Sequence, residues 1–232
     1  MQTFVVGRSV FCRFIFDTQE AMGMNMVTIA SSAMVRTIEL KTEIKCVSLS
    51  GNLCVDKKPS SLNFILGRVK KVRAEVVLSK KIVKEGLKTT PKKIYKTWFN
   101  KCLLGSALAG SLGFNAHFSN VIAAIFLATG QDMAHVAENS LGITTVEIND
   151  DESLYISVYL PDLMIGVVGG GTDLATQKEA LRILGIADGK RGDSLKLAKI
   201  IGGAVLAGEI SLLASLAEGS LAKAHGRLGR QN

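Results

Sequence analysis

The stretch LAKIIGGAVLAGEISLLASLAEG, Leu197 to Gly219, limits the possible folds more than any other part of the chain. A bilayer span needs roughly 20 consecutive apolar residues, and this run has that length. It also carries Lys199, Glu209 and Glu218, charges that hydrocarbon penalises strongly. The reading that satisfies both facts is a long core helix, Ser194 to Leu216, wrapped by the rest of the protein rather than by lipid. At 232 residues and 47% apolar composition, the chain has enough material to build that wrapping in one large or two small domains.

The walls are legible as alternation. Val69 to Leu78 reads as a half-buried strand, and three β-rich runs follow between Gly142 and Val168: ITTVEI, LYISVYL and LMIGVV. They are expected as antiparallel neighbours. Ser9 to Phe16 and Glu43 to Leu49 read as further strands, and Met22 to Leu40 and Gln177 to Leu184 as helices. Two or three more helices are expected between Leu78 and Asn139. The fold class is therefore α+β, with a small first piece and a larger second one. Residues 1–49 hold too little for an independent core, so the first strand is expected to lack a partner.

Charge is concentrated. Gly67 to Lys96 carries eleven Lys and Arg against two Glu, a local +9 that accounts for the whole net charge of +8. Such a segment could track a phosphate backbone. Its strand and helix periodicity is that of a solvated face, and no nucleic-acid partner is expected. Cys12, Cys46, Cys54 and Cys102 show neither CxxC nor zinc spacing, which points to reduced thiols, a cytoplasmic setting and no metal. The first residues, MQTFVVGRSVF, lack the charged start and uninterrupted apolar core expected of a signal peptide.

Four short motifs remain. In SGNLCVDKKP the charges Asp56, Lys57 and Lys58 sit side by side, halted by Pro59, between apolar flanks. EAMGMNM, Glu20 to Met26, puts Gly and Asn among methionines where a turn enters a helix; this could face a phosphate and a flat ring, or be ordinary core. VVGGGTD, Val167 to Asp173, is strand, triple glycine, helix: a tight turn or a backbone surface for an anion. Asp132 in GQD follows an apolar helix as a cap or a functional carboxylate, and His225 lies seven residues from the C-terminus.

In combination, EAMGMNM, CVDKKP, LLGSALAGSLGFNAH, ATGQD, GVVGGGTDL, AGEISLLASLAEG and the final KAH occur in one order over essentially the whole chain. The sequence resembles the catalytic domain of class I hydroxymethylglutaryl-CoA (HMG-CoA) reductases, which reduce HMG-CoA to mevalonate with NADPH. The resemblance implies a partial small NADP-binding α/β domain at 1–49 and a catalytic lysine loop at 50–60. A larger, mostly helical substrate domain with an antiparallel sheet follows at 61–232. It implies Lys57, Asp132 and His225 as catalytic residues. Ser50, Asp56, Lys58, Lys101 and Asn120 are implied for the substrate. For NADPH the implied contacts are Met22, Gly23, Met24, Asn25, Met26, Gly169, Gly170 and Gly171, with Glu20 where the family has Asp. The GSLGFNAH motif is one Gly shorter than the family's.

The family's catalytic Glu and a dimer-forming segment lie upstream of AMGMNM and have no counterpart here, so two readings stand. One is a reductase that needs the absent part, and the other is an impaired remnant that assembles with partners. On one unbroken helix Asn120 and Asp132 would be ~18 Å apart, so one lysine could not touch both. Either the helix breaks near Thr129-Gly130 or a second subunit contributes. The family builds its sites between subunits, which favours a homo-oligomer.

Overall fold

The long apolar helix is present, and the protein is built around it. The computed structural model describes residues 1–186, 189–220 and 226. The chain opens with a hairpin, β1 (Gln2–Val6) and β2 (Ser9–Arg13), then α1 (Met24–Lys41). After the Asp-Lys-Lys loop come α2 (Ser61–Leu66), β3 (Arg68–Leu78), α3 (Lys80–Glu85) and α4 (Pro91–Trp98). A π-helical turn, Phe99–Gly105, leads to the short α5 (Ser106–Leu108) and to α6 (Phe118–Thr129). A 3₁₀ turn, Met133–His135, then precedes α7 (Val136–Asn139), β4 (Ile143–Ile148) and β5 (Leu154–Leu163). The last two helices are α8 (Ala175–Ile183) and α9 (Asp193–Glu218) among the described residues.

The central sheet is antiparallel with order β3-β5-β4. Val72 pairs with Leu160 and Leu78 with Leu154, while Ile143 pairs with Tyr159 on the other side. Leu154, Ile156, Val158 and Leu160 alternate inward along β5, as a strand with one buried face must. α9 lies against β3, β5, α4 and α6 and buries Leu197, Ile201, Val205 and Leu213. Each such side chain contributes about 1.5–3 kcal/mol on burial. Gly202 lets helix and strand close up, because a Cβ there would stand 2.8 Å from a Val72 methyl.

α9 also carries a wholly buried charge, Glu209. Its carboxylate accepts from the amides of Ala116 and His117 (2.8 Å each) and from the Thr144 hydroxyl (2.6 Å), and it meets His117 Nδ1 at 2.9 Å. The charge that argued against a membrane span thus fastens the 115–117 turn and β4 to the core helix.

Three expectations need correction. LMIGVV is not a third strand, because β5 stops at Leu163 and β3 takes the third place in the sheet. The amides beyond are drawn elsewhere: Met164 donates to Asn139 Oδ1, Gly166 to Gln131 Oε1 and Val167 to the Glu20 carbonyl. Glu43 to Leu49 is not a strand, since Ile44 and Cys46 donate back to the end of α1, to Thr42 Oγ1 and Glu39 Oε1. The first strand does have a partner: β2 pairs with β1, Phe11 opposite Phe4.

Candidate active site

The Asp-Lys-Lys loop is held in a conformation that side chains normally avoid. Asn52, Val55 and Lys57 all have positive φ (60°, 53° and 65°), and a β-branched valine there is a marked outlier. Residues in such regions cost of order 1–3 kcal/mol each and persist only where the surroundings over-determine them. The Lys57 amide donates to Glu138 Oε2 at 2.6 Å, and Val55 N–H closes a turn on the Asn52 carbonyl. Ser60 caps α2 by accepting from Asn63 N–H. The two lysines then diverge. Lys58 Nζ folds back on the loop, donating to the Asp56 carbonyl at 3.0 Å and to Asn52 Oδ1 at 3.5 Å. Lys57 Nζ reaches out to Asp132 Oδ2 at 3.2 Å.

Asp132 is positioned by the end of α6. The helix stops at Thr129 because Gly130 turns left-handed (φ 73°). A Cβ at Gly130 would lie 2.3 Å from the Gly171 carbonyl oxygen, so the triple-glycine loop and the helix end meet backbone to backbone. Asp132 then caps the 3₁₀ turn, with Oδ1 accepting from Ala134 N–H at 3.0 Å. That leaves Oδ2 for Lys57. Burial pushes the carboxyl upward in pKa, but the Ala134 amide, Lys57 and His135 together hold it below the ordinary value.

Beneath this pair lies a buried layer of charge. Arg68, at the start of β3, donates Nη1 to Glu138 Oε1 (2.6 Å) and Nη2 to Asp56 Oδ1 (2.9 Å). Asn63 Nδ2 adds a bond to Glu138 Oε1 at 3.1 Å. His135, fully buried, places Nε2 2.9 Å from Asp56 Oδ1 and Nδ1 3.2 Å from Asp132 Oδ2. Burial tends to raise the Asp56 pKa, yet its bonds to His135 and Arg68 hold it low. Asp162 is wholly enclosed and without an aligned hydrogen-bond partner. Burial first, then the neighbouring Glu138, pushes it well above the carboxylate range. Asp56, His135 and Glu138 stand close enough together to hold a metal ion, but the Arg68 guanidinium already bonds both carboxylates and supplies the positive charge there.

A strained lysine loop aimed at a helix-capping aspartate is a specific arrangement, and it coincides with a family match. The family model described as hydroxymethylglutaryl-coenzyme A reductase matches residues 1–230. The chain belongs to the HMG-CoA reductase family. The 3-hydroxy-3-methylglutaryl-coenzyme A reductase of Pyrococcus horikoshii is 54% identical over 236 residues, covering 99% of this chain and 57% of that protein. That of Methanocaldococcus jannaschii is 55% identical over 97% of this chain and 56% of its own length. Dictyostelium discoideum reductase 2 is 46% identical, covering 95% and 43%. The chain thus spans about 57% of the archaeal reductases it matches.

Of the residues implied by the resemblance to HMG-CoA reductases, Asp56, Lys57, Lys58 and Asp132 are brought together. Met24 joins them through an Arg68 Nη2 contact with its sulfur at 3.1 Å. Gly171 lies in the close approach to Gly130, whereas Gly169 and Gly170 have positive φ and open space where a Cβ would stand. Gly23 is left-handed before α1, with Met22 half-buried and Asn25 and Met26 exposed.

Ser50 is exposed beside Cys54 Sγ, 3.3 Å away. Asn120 is exposed on the first turn of α6, and Lys101 lies in the π-helical turn, lining an open cleft of about 630 Å³ with Lys93 and Lys96. The Lys57 ammonium pairs with Asp132 and with neither of these two among the described residues. Asn120 and Asp132 do not share one unbroken helix. α6 breaks at Gly130, so Lys57 and Asp132 meet within one chain. His225 lies outside the described residues.

Glu20 reaches the start of α9. Both its oxygens accept backbone amides at the start of α9, Gly192 and Ser194 at 2.7 Å each. Burial opposes ionisation, but these amides hold its carboxyl below the usual value. Sequence reasoning does not find Arg68, His135, Glu138 and Asp162. A weak signal exists, because four ionisable residues in otherwise apolar or strand contexts must be paired if buried.

Proposed function

We propose that this chain forms the reducing centre of an HMG-CoA reductase, converting HMG-CoA to mevalonate and CoA in a four-electron reduction. The Lys57–Asp132 ion pair carries the reading. Reduction of a thioester develops negative charge on the carbonyl oxygen, and a fixed ammonium is the group that stabilises it. The strained loop points Lys57 away from Lys58, and Asp132 directs the ammonium. Lys58 and Asp56, on the same loop, are suited to orient the hydroxymethylglutaryl part. His225 is assigned the protonation of the CoA thiolate; a thiol near ~8.5 and an imidazole near ~6.5 make that transfer favourable.

NADPH supplies the hydride. The residues fit a dinucleotide: Gly169 and Gly170 leave an open, positive-φ backbone for phosphates, and the exposed Met26 and Asn25 lie at the start of α1. Lys101 and Asn120 are assigned to the substrate in a homo-oligomer, the arrangement the resemblance implies. The four free cysteines favour a cytoplasmic setting.

Incubation with HMG-CoA and NADPH of the protein supplied with the family's upstream segment, in cis or as a second chain, tests the reading. Mevalonate and free CoA are expected, with NADPH preferred to NADH, and Lys57→Met removes turnover. Failure of the wild-type protein to oxidise NADPH while binding neither CoA nor NADPH overturns it.

A further inference from the structure

We propose that His135 is a positioning residue, a single buried imidazole that ties Asp56 to Asp132 and thereby fixes where the Lys57 ammonium sits. The imidazole is wholly enclosed and faces three carboxylates: Asp56 at 2.9 Å, Asp132 at 3.2 Å and Glu138 at 3.9 Å. The cations of the same cluster, Lys57 and Arg68, pair with these carboxylates.

The ring's two nitrogens lie against different carboxylates. A neutral imidazole has one N–H and one lone pair, so either tautomer turns a lone pair onto a carboxylate from about 3 Å. Only the doubly protonated ring offers a donor to both. The two contacts are unequal. Nε2 is hydrogen-bonded to Asp56, whereas Nδ1 is buried near Asp132 without hydrogen-bond alignment. Asp132 Oδ2 is therefore shared, 3.2 Å from Lys57 Nζ and 3.2 Å from His135 Nδ1. A small rotation of the carboxylate strengthens one contact at the expense of the other. His135 limits that rotation and so sets the direction of the lysine. Asp56 is held by the same ring, which couples its position to that of the Lys57–Asp132 pair.

The proposal rests on the reductase reading only for its kinetic consequence, and two measurements separate the parts. The chain has three histidines, so ¹⁵N-labelled imidazole signals can be assigned by comparison with His135→Gln. Long-range ¹H–¹⁵N correlation spectra of the wild-type protein read which His135 nitrogens carry a proton, and the bridge requires both. A signal from one bare nitrogen overturns the bridge, whether or not the protein turns over.

The kinetic arm compares His135→Ala with His135→Gln, which keeps one donor. The expected split is a fall in kcat of roughly tenfold or more for Ala, partly recovered by Gln, with KM little changed. An unchanged kcat in a folded Ala variant overturns the positioning role. If both variants unfold, the wild-type spectrum alone decides. Absence of wild-type turnover counts against the reductase reading, and the spectrum still decides whether the imidazole bridges the two carboxylates.

Discussion

Two helices, α1 and α9, begin alike and end in opposite surroundings. Each follows a left-handed glycine, Gly23 (φ 90°) or Gly192 (φ 97°), and each carries many apolar side chains. α9 buries ten residues, including a glutamate. α1 buries none, and Met26, Ile29, Met34 and Leu40 stand exposed. The hairpin before α1 is similarly open, with Phe4, Val5, Val6 and Val10 exposed. Local signals are sufficient to start and stop both helices. Burial depends on walls that only distant chain provides: α9 has β3, β5, α4 and α6. The region from β1 to α1 touches the rest chiefly through Glu20 at the start of α9, the Gly166–Val167 turn and Arg68.

The sharpest way to break this comparison is inside α9. Glu209→Ala removes the acceptor of two amides and a hydroxyl in a sealed space, and is expected to cost roughly 3–5 kcal/mol in urea unfolding. Ile201→Ala, which opens a cavity against the sheet, is expected to cost about 3 kcal/mol.

Next comes Asp162, whose effect depends on pH. Its folded-state pKa is raised from the ordinary 3.8, chiefly by burial, so the folded state holds a proton that the unfolded chain releases. The sign follows: between 3.8 and the raised folded value, Asp162 makes stability fall as pH rises. Asp162→Asn keeps a donor toward Glu138 without the charge. It is expected to match the wild type near pH ~4 and to exceed it by a margin that grows as the pH rises toward ~8. A parallel pair of stability curves would contradict this. The smallest effect belongs to α1: Ile29→Ala is expected to change stability by less than about 0.5 kcal/mol. A loss as large as that of Ile201→Ala would mean α1 is covered in solution.

The same contrast explains which parts of the molecule are legible in the sequence. The core helix, the paired β4 and β5, and the Lys57–Asp132 couple all rest on contiguous signals: an apolar period, alternation, or a motif such as DKKP or GQD. The buried layer has no such signal, because Asn63, Arg68, Glu138 and Asp162 come from four elements and meet only after folding. The same is true of where β5 ends, since nothing local to LMIGVV says that Asn139 and Gln131 will claim its amides. The partners of Glu20 are equally hidden from local sequence. Its sequence neighbours are the AMGMNM residues, but its hydrogen-bond partners lie 172 and 174 positions away.

The central claim is that Lys57 and Asp132 act as one unit on the reacting carbonyl. A double-mutant cycle with Lys57→Met and Asp132→Asn, made in the protein supplied with the family's upstream segment and read as HMG-CoA-dependent NADPH oxidation, tests it most directly. Each single change is expected to lower kcat by ~10²–10⁴, and the double variant to fall no further than the worse single one. Losses that multiply, or a Lys57→Met variant with wild-type turnover, would contradict the account.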